Sequence, residues 1–338
     1  MTTLGQAAEE YVGFLKARGL AKATITSQRN MLSHAETAWG ADLELGDLHP
    51  RHIDRFFTGR EWSVGTRNIY LLALRGFLKW CRTHRYLPTD YDPTEGWSTG
   101  KMPQTERTWL TLPVLQTLLD ATEHARDRAF IAVGIYTFLR ASEIVNLRIR
   151  DIDSERSELR VYRIKTQQND RLPICAELQV ELRAWLHYYA DEHGELDPDW
   201  YLIPSRGPQP MKGVPGERRL IPTGEPNPLR PTRHVARPQR IVKEAMTRIG
   251  VGKHGDACHV LRRSGARALY ETLRDMGHDG AARRVQSMLG HSSLTMTEKY
   301  LGLDHERMQR NEALAGKPMF GEPTTAIGRG HLRAVESA

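Results

Sequence analysis

Six residues between Arg140 and Tyr300 have the side-chain types needed to transfer a phosphodiester bond without a metal ion. They lie in four short strings: FLRASEIVNLR with Arg140, YRIKTQQNDRLPI with Lys165, HVLRRSGAR with His259 and Arg262, and LGHSSLTMTEKY with His291 and Tyr300. Taken singly, each string reads as an ordinary helix face or a core aromatic. Together they answer every charge and proton of one reaction. A phosphate gathers further negative charge on its nonbridging oxygens as it becomes pentavalent, and fixed cationic donors stabilise it there. Arg140 and Arg262 supply planar, permanently charged forks for those oxygens.

A tyrosine hydroxyl, with an ordinary pKa near ~10, is a weak nucleophile at neutral pH. Guanidinium charges favour its phenolate, and a histidine such as His259 can take its proton. The departing sugar oxygen needs a proton in return, which suits the ammonium of Lys165, with Lys212 and Lys243 as remoter competitors. His259 and Arg262, three apart on an expected helix, share a face. His291 precedes Tyr300 by nine residues, enough for a turn and a short helix to bring both to one phosphate. Glu143, three residues after Arg140, either positions its neighbours or is an ordinary helix charge.

These side chains need a scaffold. From Leu4 to Leu87 the pattern is helical: one element through Tyr11, Phe14 and Leu15, one after Thr24 from Ile25 to about Ala38, a short one from His49-Pro50, and a long one after Ser63. In the last, Ile69, Leu72, Ala73, Phe77 and Trp80 form an apolar stripe expected to face a core. Leu87 to Gln104, broken by Pro88, Pro93, Gly96, Gly100 and Pro103, reads as a linker.

Beyond it, Thr111 is a candidate N-cap beside Pro113, with further helices expected over about Asp127 to Phe138 and Ser142 to Leu147. ELRVYRI and RLPI read as two strands around the polar KTQQND, which puts Lys165 at the mouth of a hairpin. Gly194 to Pro238, with eight prolines from Pro208 onward, reads as a long surface excursion; helical periodicity resumes at Gln239 and runs to about Leu314.

Composition narrows the partners. The chain of 338 residues carries 48 Lys and Arg against 41 Asp and Glu, a formal charge of +7. From Arg206 to Arg284 alone, 17 basic residues face 7 acidic ones, so positive charge gathers where the chemistry would lie and points to a phosphate-bearing polymer. Cys81, Cys175 and Cys258 lie far apart and form no metal spacing. No apolar run is long enough to span a bilayer, and the N-terminus lacks the pattern of a signal peptide, so a reducing cytoplasm is the expected compartment.

Arg140-Ala-Ser-Glu143, His259-x-x-Arg262 and Leu289-Gly290-His291 with Tyr300 nine residues on resemble, in order and spacing, the motifs of the tyrosine site-specific recombinases of the phage integrase and Xer kind. The resemblance covers most of the chain. It implies a mainly α fold with a small β-sheet (α+β) in the catalytic domain: a helical, SAM-like core-binding domain over 1–90, a linker over 91–106, the catalytic domain over 107–315 and a C-terminal tail over 316–338. It implies that Tyr300 forms a 3′-phosphotyrosine and frees a 5′-hydroxyl. Arg140, Arg262 and His291 would bind the phosphate, His259 would handle the nucleophile's proton, and Lys165 would protonate the leaving oxygen.

No cofactor is implied, because the phosphotyrosine conserves the bond energy. The implied partners are double-stranded DNA carrying specific core sites and three further copies, a homotetramer on two duplexes, with room for accessory DNA-bending or directionality factors. Residues beyond Tyr300, from Asp304 to Leu314 and the tail, resemble a segment that docks on a neighbouring protomer. One departure stands beside the site: Arg263 occupies a position where many relatives have histidine.

A phage or mobile-element integrase is the leading expectation, with a resolvase of chromosome or plasmid dimers as the alternative. Rival readings are a type IB topoisomerase, which shares the residue types, and a DNA-binding regulator in which Tyr300 is incidental. A metal-dependent nuclease fits least, since two-metal chemistry uses clustered carboxylates and this site is cationic.

Overall fold

A computed structural model describes residues 2–102, 108–208, 210–213, 220–223, 227–253, 256–303 and 314. The chain divides into two compact units, Met1–Glu106 and Arg107–Ala338.

The first unit is built from α1 (Leu4–Ala17), α2 (Lys22–Trp39), α3 (Pro50–Thr58) and α4 (Val64–Thr83). Thr3 and Gln6 cap α1 reciprocally, each side chain accepting the other's backbone N–H. Pro50 opens α3 without losing a hydrogen bond, and the Ser63 hydroxyl accepts the Thr66 N–H at 3.2 Å to start α4. The core joins Leu4, Leu32, Ile53, Phe56, Leu71 and Phe77.

The apolar stripe expected on α4 is only half right. Ala73, Phe77 and Trp80 are buried, but Ile69 and Leu72 are 56% and 58% exposed. Leu71, Leu74, Leu78 and Cys81 are buried in their place, because α4 is apolar on more than one face and its core-facing arc turns away from Ile69 and Leu72.

Much of the tract read as a linker docks on this same unit. The Trp97 ring packs on Phe57 at 4.8 Å and its Nε1 donates to Asp54 at 3.0 Å; Asn68 and Gly100 exchange two hydrogen bonds of 2.8 Å. Prolines and glycines end the helical pattern there without ending the packing.

The second unit holds α5 (Leu112–Asp120), α6 (Ala125–Thr137), α7 (Ala141–Ile144), β1 (Ile152–Asp153), β2 (Glu158–Arg163), β3 (Gln168–Pro173) and α8 (Ala176–His193). There follow β4 (Pro204–Arg206), β5 (Met211–Gly213), β6 (Leu220–Pro222), β7 (Leu229–His234), α9 (Pro238–Arg248), α10 (Cys258–Asp275), α11 (Ala281–Leu289) and α12 (Leu294–Leu301). The architecture is the expected helical one with small antiparallel sheets, β1-β2-β3, β4-β7 and β5-β6. In β2, Leu159, Val161 and Arg163 alternate inward, with Leu159 opposite Leu172 and Arg163 opposite Gln168.

The proline-rich tract is more deeply built in than a surface excursion. Leu202 and Ile203 are fully buried, the Leu202 N–H donates to the Leu147 carbonyl at 2.8 Å, and β4 pairs with β7. Two-stranded edges tolerate prolines, so their density did not preclude pairing. Residues 209, 214–219 and 224–226 of that tract, and the expected docking segment and tail apart from Leu314, lie outside the described residues.

One helix crossing positions the site. A Cβ at Gly265 of α10 would stand 2.1 Å from the Ile135 carbonyl oxygen of α6, so only glycine permits this approach.

Candidate active site

The site grows from the end of α6. There Phe138 takes the left-handed conformation at φ 55°, and the chain turns sharply so that Arg140 caps the next helical turn, α7. Glu143, whose side chain has no exposure, accepts the Arg140 N–H at 2.8 Å and Arg140 Nη1 at 2.9 Å. Arg140 is therefore held by both its backbone and its guanidinium.

Arg262, 2% exposed on α10, donates through Nη1 to the Phe138 carbonyl and through Nη2 to the Leu289 carbonyl at 2.8 Å. Arg163, at the end of β2, donates to Asp170 at 2.9 Å and to the Met288 carbonyl at 2.7 Å, with Nη1 3.4 Å from Glu143. Two buried arginines thus hold consecutive carbonyls at the negative C-terminal end of α11. Together they tie the α6–α7 turn, the β-hairpin and the α11–α12 turn to one point.

At that point Gly290 is left-handed at φ 63° and leads into His291. His291 Nδ1 lies 3.1 Å from the hydroxyl of buried Thr297 on α12, and Gln286 donates to the His291 carbonyl at 3.1 Å. One turn beyond Thr297, the Tyr300 ring meets His291 edge-on at 5.2 Å and lies 5.9 Å from the Arg262 guanidinium. Its hydroxyl oxygen is buried. A small cluster of Phe138, Ala266, Tyr270, Val285, Leu289 and Leu301 supports the ring from below.

The concentration of cations shows in the titration. Burial first, then Arg262, Arg140, Arg163 and Lys165, push His291 down to about 4, so it is neutral at pH 7. Burial lowers Arg262 to about 10, with Tyr300 opposing the fall and Arg140 adding to it; it stays charged. His259, exposed in the first turn of α10, is lowered by partial desolvation and then by Arg262, Arg263 and Arg140.

Arg140, Arg262, His291 and Tyr300 thus converge, with His259 in the field of Arg140 and Arg262. Lys165 is exposed in the turn between β2 and β3, and its charge reaches His291. Glu143 is no ordinary helix charge: it is the buried carboxylate that orients Arg140. Sequence reasoning missed Arg163, although the period-two pattern of β2 puts it inward with Leu159 and Val161. A charge on a strand's core face signals a buried partner.

The arrangement can bind an oxyanion between permanently charged forks and a neutral imidazole, beside an aromatic hydroxyl. The phage integrase family model matches residues 108–307, which span this whole arrangement. The chain belongs to the phage integrase family. Tyrosine recombinase XerC of Azotobacter vinelandii is 29% identical over 302 residues, covering 86% of this chain and 85% of that protein. Tyrosine recombinase XerA of Pyrococcus furiosus is 25% identical over 307 residues, covering 88% and 90%.

Among solved structures, a lambda integrase dimer bound to a COC′ core site superposes with a TM-score of 0.64 at 17% identity, covering 89% of this chain and 77% of that one. XerH bound to its difH substrate gives 0.59 at 18% identity, covering 94% and 86%. At these identities the structural likeness establishes the fold. Family and relatives make the chain a tyrosine site-specific recombinase.

Proposed function

We propose that this recombinase cuts and rejoins double-stranded DNA at specific core sites through a 3′-phosphotyrosine on Tyr300. The Tyr300 oxygen attacks the phosphorus and the bond to the 5′-oxygen breaks. His259 accepts the phenolic proton, and Lys165 delivers one to the 5′-oxygen. Arg140, Arg262 and His291 bind the nonbridging oxygens as charge builds. Rejoining is the reverse, with a 5′-hydroxyl attacking the phosphotyrosine; the conserved bond energy removes any need for a nucleotide. The observation that carries this reading is the placement of the Tyr300 ring against both His291 and Arg262.

Two duplexes must exchange strands, so the active form is a homotetramer, a state that a lambda integrase bound to a Holliday junction adopts. The enzyme acts in the cytoplasm, as an integrase of a phage or mobile element. Xer recombinases at 25–29% identity favour a second reading, the resolution of chromosome or plasmid dimers.

Incubating the protein with fragments of host DNA, recovering detergent-resistant adducts and sequencing their ends tests the chemistry and finds the site. A nicked duplex carrying that site should then trap wild type covalently and give no covalent adduct with Tyr300→Phe. Absence of any Tyr300-dependent adduct would refute the mechanism.

A further inference from the structure

Arg263, the departure beside the HxxR string, is held against the segment that precedes α5, and its charge also reaches His259. Its Nε donates to the Thr108 carbonyl at 3.0 Å, its Nη2 lies 3.4 Å from Asp256, and its guanidinium stacks 5.6 Å from the centre of the Trp109 ring. One helical turn further along α10, the Arg267 guanidinium lies 5.0 Å from the same ring. Trp109 is thereby held by two cations, a favourable arrangement for an indole. The strap around it is fixed at both sides: the Thr108 hydroxyl donates to Asp256, and the Leu110 N–H donates to buried Ser264 at 2.9 Å.

The held ring reaches the helix of the nucleophile. Trp109 Cζ2 would stand 3.1 Å from a Cβ built on Gly302, the left-handed residue (φ 69°) that ends α12 two positions after Tyr300. Arg267 Nη1 donates to the Leu301 carbonyl at 3.3 Å. A helix of eight residues has little stability of its own and takes its position from what holds its ends. At its start, Ser293 caps it, with the Thr297–His291 contact one turn in. At its end stand Trp109 and Arg267.

We propose that Trp109, clasped by Arg263 and Arg267, is a positioning residue that sets Tyr300 for in-line attack by bracing the C-terminal end of α12. The proposal rests on Tyr300 being the nucleophile. Because Trp109 touches none of the reacting atoms, its removal misplaces one reactant and leaves the oxyanion cradle whole. A misplacement of about 1 Å costs on the order of 100-fold in rate.

The test is single-turnover cleavage of a nicked duplex bearing the mapped site, made with either an ordinary 5′-oxygen or a bridging 5′-sulfur at the scissile phosphate. A thiolate leaves without a proton, so the sulfur should rescue Lys165→Ala and not a misplaced nucleophile. Trp109→Ala should form adduct on the order of 100-fold more slowly on both substrates, with DNA affinity within about twofold of wild type, and Trp109→Phe should recover most of the rate.

Gly302→Ala carries backbone strain at φ 69° in every background, but it should slow cleavage further beside Trp109 than in a Trp109→Ala or Trp109→Phe background, where the methyl has room; that difference keeps the test usable if one variant folds poorly. Cleavage by Trp109→Ala within twofold of wild type overturns the proposal, as does rescue of Trp109→Ala by sulfur or strict additivity with Gly302→Ala. A wild type giving no Tyr300-dependent adduct sinks the nucleophile itself, an outcome distinct from a wild type and a Trp109→Ala variant that cleave equally well.

Discussion

Lowering the pH from 6.5 to about 4 should destabilise this protein chiefly through His291. Its pKa falls from the ordinary 6.5 to about 4, by burial first and then by Arg262, Arg140, Arg163 and Lys165. The unfolded chain therefore takes up a proton on His291 near pH 6.5 that the folded chain refuses until about pH 4. Stability from this group is complete above pH 6.5 and is lost as pH falls through that window. At ~1.36 kcal/mol for each pH unit, the loss reaches about 3 kcal/mol.

Urea unfolding of wild type and His291→Gln across pH 4 to 8 isolates it, since the smaller same-direction contributions of His259 and His52 are common to both proteins. The wild-type curve should drop about 3 kcal/mol further than the variant's over the window. Lys165→Ala should shrink that difference only slightly, because Lys165 is the weakest of the causes named for His291. A difference curve flat to within about 0.5 kcal/mol would refute the claim that burial and the arginines keep His291 neutral.

Three further outcomes follow from packing. Gly265→Ala should cost about 3 kcal/mol or more in chemical denaturation, because its methyl would stand 2.1 Å from the Ile135 oxygen; a cost under about 0.5 kcal/mol would mean α6 and α10 separate freely. Arg163→Ala should lose about 3–5 kcal/mol by leaving Glu143 less compensated. Arg163→Lys should restore only part of it, since an ammonium cannot span Asp170, Glu143 and the Met288 carbonyl together. Ile69→Gln and Leu72→Gln should each change stability by no more than about 0.5 kcal/mol, whereas Phe77→Ala should cost about 3–5 kcal/mol by calorimetry.

Residues with local signals were readable. Ser63 and Thr111 mark helix starts, Pro50 opens α3, and the alternation of β2 with the polar KTQQND stretch gives the hairpin that carries Lys165. The convergence of Arg140, Arg262, His291 and Tyr300 was legible as complementary chemistry, one partner for each charge and proton.

What escaped depends on contacts between distant segments. The alternation of β2 marks Arg163 as inward-facing, but its partners Glu143 and Met288, like Ile135 for Gly265, come from distant segments that periodicity cannot name. On α4 an apolar surplus left two candidate stripes, and only the packed neighbours choose between them. In the proline-rich tract, Leu202 and Ile203 were too few to outweigh the turn signals around them, yet both are fully buried.

The double grip on Arg262 has a consequence for the direction of the reaction. With Nη1 and Nη2 each committed to a backbone carbonyl, the plane of the guanidinium is set before any ligand arrives. On the proposed chemistry, an immobile cradle presents the same donors to a DNA phosphodiester and to the phosphotyrosine derived from it. Cutting and sealing then meet the same electrostatic landscape, and neither is favoured by the site itself. The balance between parental and exchanged strands would be decided outside the cradle, by whatever stabilises one arrangement of the four DNA arms once they have crossed.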